Sequence, residues 1–371
     1  MKDKFKTEAS LASQTFTQNR IDFLDFMRIF AFLSVLLGHK FFPHLAAIAK
    51  NTNTHISIRY LAEGMMPLCY GGAAGVVVFF FISGYIITHV LQKEDTVEFL
   101  IKRVFRIYPL YIFAVFSEAY IGFIVHGIEL PPLSIWVPRL LLLGDFFDTP
   151  YSLMGVEWTL RVEIMFYLFM AVLKLTGLLK RTEWLPFIFV ICTVILYKLG
   201  PFPDFQGAAI GYFTLYEPFL FIGSIIYLAE HKMANKQLCI ASIFFIFIGF
   251  LILIAKIQPF WKDSNYAVFA LLLFLSSWLF RAYLNGGPLI RFFSNMTYSI
   301  YLFHNWLWPY LETIIIKTGI ANKPNGILIF FALIMVCYIA HRTVENYGIK
   351  LGHYAVIKYR NRIPQSISKA I

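Results

Sequence analysis

The sequence predicts an all-α, polytopic integral membrane protein built as a bundle of about ten transmembrane helices. Three observations predict it. Of 371 residues, 59% are hydrophobic and only 14% charged, whereas soluble globular chains average about 45–50% apolar and about 25% charged. The apolar residues gather in runs near the roughly 20 residues that a helix needs to cross a hydrocarbon core. Between those runs, Lys and Arg alternate between abundant and sparse, as they do in cytoplasmic and extracytoplasmic connections.

Taken in order, residues 1–20 are polar and basic and read as a cytoplasmic tail. The run after them carries Asp25, Arg28 and His39. It is neither a signal-peptide core nor followed by a small-residue cleavage site, so it reads as a retained first helix. Candidate spans are 22–42, 73–91, 105–126, 158–176, 184–200, 211–229, 237–256, 266–284, 297–317 and 326–345. The run 133–144 is too short, carries Pro138 and Arg139, and suits an interfacial or re-entrant segment. Residues 43–72 and 127–157 form the long extracytoplasmic connections, and 346–371 a basic cytoplasmic tail. Residues 21–345 are left as one membrane domain.

The net charge of +11 would suggest nucleic acid in a soluble protein. Here topology accounts for it. Connections on the side of both termini hold 21 Lys and Arg, the opposite connections 9, which puts both termini in the cytoplasm of an inner or plasma membrane. Membrane lipids are expected partners and nucleic acid is not. The four cysteines, Cys69, Cys192, Cys239 and Cys337, show neither metal-site spacing nor a disulfide framework.

Charge at mid-bilayer costs about 2.5–3.5 kcal/mol on insertion scales, so intramembrane ionisable residues are candidate functional groups. Asp25, Arg28, His39, Glu118, Arg161, Glu163, Glu217, His304 and Glu312 all fall within spans. Arg28 and His39 lie eleven residues apart, within about 20° of whole helical turns, and so share one face about 16.5 Å apart along the axis. Arginine grips phosphate, and histidine transfers protons near neutral pH. Asp25 and Arg28 are i,i+3 neighbours placed for an ion pair. Glu163, if ionised, needs a cationic or donor partner; a histidine and Arg161 both qualify. Arg103 and Arg106 share a helix face at the start of a span, which suits either topology and lipid headgroups or a polyphosphate ligand.

At these residues the sequence resembles the acyltransferase 3 family of membrane acyltransferases. The matching segments run in order: Ile21 to Arg28 with ten residues before His39; Gly75 to Ile87; Arg103 and Arg106 followed by Ile107-Tyr108-Pro109-Leu110-Tyr111; Trp158 to Tyr167; and Tyr298 to His304. Thr159 and Arg161 stand where many members have serines, and no soluble extracytoplasmic hydrolase-like module is expected after the last span.

The resemblance implies an acyltransferase domain over 21–345. It would use cytoplasmic acyl-CoA, commonly acetyl-CoA, to acylate a cell-envelope carbohydrate or lipid-linked sugar. No cofactor is expected to be held permanently; acyl-CoA is a co-substrate. Its phosphates would dock on Arg103 and Arg106 with Arg28 at the mouth. His39 would act as general base, supported by Glu163 or another carboxylate, or carry the acyl group itself. His304 would bind acceptor or support the bundle. Trp158, with other outer aromatics, would stack on sugar rings, although such aromatics occur at any membrane interface. The competing class is a secondary transporter of a small anion or saccharide, for which an inverted repeat would be the signature. None is visible.

Overall fold

The computed structural model describes residues 20–204, 210–320 and 325–362. Among them every regular element is helical. Helix α1 (Asp22–Leu36) passes through a π-helical turn (Leu37–Phe41) into α2 (Phe42–Lys50). Helix α3 (Ile56–Cys69) meets α4 (Ala73–Leu91) at a kink where Gly71 and Gly72 take positive φ. Next come α5 (Thr96–His126), the short α6 (Leu133–Leu140), α7 (Trp158–Leu175) and α8 (Leu185–Leu199). Helices α9 (Tyr212–Glu230), α10 (Lys236–Ile257) and α11 (Tyr266–Leu279) follow. The described chain ends with α12 (Pro288–Phe303), α13 (Trp308–Lys317) and α14 (Gly326–Ala340), then a second π-helical turn (His341–Glu345) and α15 (Asn346–Arg360).

Among the described residues, seven helical stretches are long and apolar enough to cross a membrane, and Tyr266–Leu279 is a shorter apolar helix. Nine of the ten expected spans each coincide in the main with one helix. Two stretches differ from expectation. The connection 43–72 is mostly helical, as α2 and α3, with Ile56, Ile58, Tyr60 and Leu61 exposed. Arg59, Glu63 and Pro67 interrupt its apolar pattern and hide the helix from a search for long hydrophobic runs. The expected span 297–317 is two helices. Helix α12 starts at Pro288 and stops at Phe303; α13 restarts with Pro309 in its first turn, where proline's missing N–H removes no helical bond.

Of the two expected tails, residues 1–19 lie outside the described residues. The C-terminal one is helical from Asn346 to Arg360, with Gly348 and Gly352 against Phe105 and Pro109 of α5.

The centre of the bundle is the α4–α9 pair. A Cβ on Gly84 would stand 1.9 Å from the carbonyl oxygen of Leu220, and one on Gly223 would stand 2.2 Å from that of Phe81. The two helices therefore approach backbone to backbone through reciprocal glycines. Lipid is as apolar as the side chains, so such close packing is what holds membrane helices together. Outer helices turn large apolar side chains outward, among them Phe244 and Ile252 of α10 and Phe331 and Met335 of α14.

Candidate active site

Helices α1 and α12 run side by side in the same direction. At one end Ser294 donates to Asp25 (2.6 Å); at the other Nε2 of His304 lies 2.9 Å from Nδ1 of His39. Between these ties is a narrow cavity lined by Ala31, Phe32 and Val35 of α1, Gly75, Val76 and Phe79 of α4, Thr159 of α7, and Thr297 and Tyr301 of α12. In sequence, Ala31 and Val35 of this lining fall between Arg28 and His39, neither of which lines the cavity itself. Gly75 allows this convergence: a Cβ there would stand 2.3 Å from the carbonyl oxygen of Ala31.

The Asp25 end is rich in cations. Asp25 accepts from Arg20, from Arg28 (2.9 Å) and from Ser294, so the expected Asp25–Arg28 ion pair is present. One carboxylate serves two guanidiniums. Arg106 lies within electrostatic range of Arg28, and Arg103 and Arg106 both act on Tyr167. Arg103 sits over the rings of Phe99 (5.4 Å) and Tyr167 (6.0 Å), and its buried Nε has no hydrogen-bond partner. Neither Arg103 nor Arg106 makes an ion pair with a carboxylate among the described residues. Guanidiniums without a carboxylate partner suit a ligand bearing several phosphates.

Glu163 belongs with this end. Thr159, Glu163 and Tyr167 form one stripe along α7 at four-residue spacing, each about 6 Å further from the histidines. Both Ser83 and Tyr167 donate to the Glu163 carboxylate, and no hydrogen bond joins it to His39. Thr159 donates to the Tyr301 hydroxyl (2.7 Å), tying α7 to α12 beside the cavity. Arg161 points away from Glu163. It pairs with Asp145 (2.5 Å) and Glu157 (3.3 Å) and covers the Tyr151 ring, holding the 144–157 connection against α7.

The opposite end holds the histidines. Their rings stack at 5.0 Å and 29°. His304 is buried at 1% exposure, whereas His39 is exposed and open to a ligand. His39 lies in the π-helical turn, where an extra residue per turn redirects side chains. Gly38 lets the turn lie on the Cys69–Gly72 backbone, since a Cβ there would stand 2.1 Å from the Cys69 carbonyl oxygen. Lys40 donates to the Asn305 side chain (2.8 Å) and lies 5.9 Å from the Trp308 ring centre.

Sequence reasoning missed Lys40 and Asn305, although each directly follows one of the two histidines. Trp158 packs among Phe80, Tyr212 and Tyr216, joining α7 to α4 and α9, and none of its ring contacts is with either histidine. No cluster of three or more His, Cys, Asp or Glu side chains suited to a metal occurs among the described residues.

This architecture has relatives. The chain is 28% identical over 145 residues to the acyltransferase MdmB of Streptomyces mycarofaciens, a match covering 37% of this chain and 38% of the relative. It thus spans about two fifths of that relative's length. No solved structure gives a significant match. The acyltransferase-domain family profile matches residues 21–342, a stretch containing α1 to α14, both histidines, and Arg28, Arg103 and Arg106. The chain belongs to the acyltransferase 3 family.

Proposed function

We propose that the protein is a membrane O-acyltransferase. It moves an acetyl group from cytoplasmic acetyl-CoA to a hydroxyl of a cell-envelope carbohydrate or lipid-linked sugar. One observation carries the reading: a narrow, mostly apolar cavity lies against α1 between the end that holds Arg28 and the turn that holds His39. That arrangement matches the chemistry of CoA, a phosphate-rich head on a slender arm that ends in a thioester. The relative's name, acyltransferase MdmB, supports the same reaction class. The Lys and Arg bias supports an orientation with the arginines at the cytoplasmic face of an inner or plasma membrane and the histidines toward the exterior.

In this reading Arg28, Arg103 and Arg106 hold the CoA phosphates. The pantetheine arm runs between α1, α4 and α12, and the thioester carbonyl reaches His39. His39 takes the proton of the acceptor hydroxyl as its oxygen attacks that carbonyl. The C–S bond then breaks, and the imidazolium returns the proton to the departing thiolate. General-base assistance of this kind contributes about 10²–10⁴-fold. Glu163 keeps Tyr167 and hence Arg103 in place at the phosphate end. Lys40, Asn305 and Trp308 stand beside His39 for the acceptor.

The test is His39→Ala in membranes supplied with radiolabelled acetyl-CoA. Covalent label on envelope glycan should fall at least a hundredfold with the protein at normal abundance. Undiminished label would remove His39 as the base. Label that crosses the membrane without becoming attached would instead mark a transporter.

A further inference from the structure

The two histidines fix each other's protons. His304 Nδ1 lies 2.7 Å from the backbone carbonyl oxygen of Tyr301. A carbonyl oxygen only accepts, so that nitrogen carries the hydrogen. In a neutral imidazole the other nitrogen is then a bare acceptor. His39 Nδ1 stands 2.9 Å from that acceptor and must be the donor. In the neutral ring its remaining nitrogen, Nε2, then carries the lone pair, and the Gly71 backbone also lies within hydrogen-bonding reach of the ring. This order of protons along the chain Tyr301, His304, His39 is assigned from the hydrogen-bond partners, with both rings neutral.

His304 is well placed to impose it. Burial leaves the ring no water as a competing partner. Its backbone N–H donates to the Ile300 carbonyl (2.9 Å), so the residue is still anchored to the last turn of α12 as the helix ends. An isolated neutral imidazole favours the opposite tautomer, with hydrogen on Nε2, which would occupy the lone pair a base needs.

We propose that His304 is a positioning residue that holds His39 in the Nδ1–H tautomer and bares its Nε2 toward the reacting hydroxyl. The proposal rests on the acyl-transfer reading above. As the hydroxyl proton passes to Nε2, His39 becomes a cation, and its Nδ1–H donates more strongly to His304. The proton on Nε2 later leaves with the CoA thiol, so both rings end as they began. His304 touches neither substrate in this scheme. A backbone carbonyl, acting through one imidazole, does what a carboxylate does when it orients a catalytic histidine directly.

The experiment compares His304→Gln with His304→Asn, each read as turnover per molecule that still binds acetyl-CoA. Glutamine reaches about as far as Nε2 and offers His39 an oxygen acceptor. Asparagine reaches only as far as Nδ1 and leaves His39 without a partner. The expected result is kcat within about tenfold of the parent for His304→Gln and lower by about a hundredfold for His304→Asn. KM for acetyl-CoA and for acceptor should be unchanged in both.

Equal loss in the two variants would overturn the proposal, because His304 would then be doing something only an imidazole can do. So would parental kcat in both, or a raised acceptor KM at unchanged kcat. If His39→Ala abolishes transfer while both His304 variants turn over like the parent, only this inference fails. If His39→Ala itself remains active, the general-base reading fails first.

Discussion

Glu163 shows how much a single residue's meaning depends on its neighbours. A carboxylate buried in a membrane calls for donors, and the sequence offered a histidine or Arg161 for it. The structure supplies Ser83 and Tyr167, and sends Arg161 to Asp145 and Glu157. The consequence is testable. Glu163→Gln keeps the shape but loosens Tyr167 and Arg103, so KM for acetyl-CoA should rise about five- to tenfold with kcat little changed. A steady-state titration with acetyl-CoA checks this, and loss of kcat at constant KM would put Glu163 back with the chemistry. Donor and acceptor types were legible in the sequence; partner choice was not, because it depends on which helices pack together. The Arg28, Ala31 and Val35 stripe was legible because it needs only helical geometry within one element, whereas His39 falls in the π-helical turn beyond it. The His39–His304 contact joins residues 265 positions apart, and no periodicity encodes it.

At the scale of elements, the π-helical turn at Leu37–Phe41 and the break after Phe303 bring the two histidines together. Neither leaves a mark in hydropathy. The π-helical turn changes the winding but not the composition, and apolar residues continue through the break as Trp306, Leu307 and Trp308. Long apolar helices were legible because burial in lipid demands an unbroken run. Helices α2 and α3 were not, since their polar residues resemble those of a loop. The π-helical turn depends on Gly38, whose Cα faces the Cys69–Gly72 backbone with no space for a methyl group. Gly38→Ala should shift the turn and lower kcat at least tenfold, with insertion and acetyl-CoA binding retained. Parental kcat would show that the turn tolerates the displacement.

Across the whole molecule, α4 has two roles. One face meets α9 through Gly84 and Gly223, and another supplies Gly75, Val76 and Phe79 to the cavity. Stability and cavity shape are therefore coupled through one helix. Gly223→Leu should destabilise the bundle by about 1–3 kcal/mol or more, since overpacking against backbone has no flexible side chain to move. A lowered unfolding temperature in detergent, with kcat falling only as α4 is displaced, is the expected reading. An unchanged melting profile would mean that the helices separate without penalty. The gross bundle was readable from runs of apolar residues and from the placement of Lys and Arg; the choice of α4 and α9 as its centre was not, because close backbone approach is a property of pairs.

The parallel stack of Phe79 on Tyr301, at 6.2 Å and 2°, sits in the wall of the cavity between the arginines and the histidines. Two aromatic faces make that stretch of the wall apolar. A conduit between the two aqueous compartments would short-circuit the ion gradients that the membrane maintains. In the acyl-transfer reading, an arm that runs between the two ends passes beside these rings and not through water.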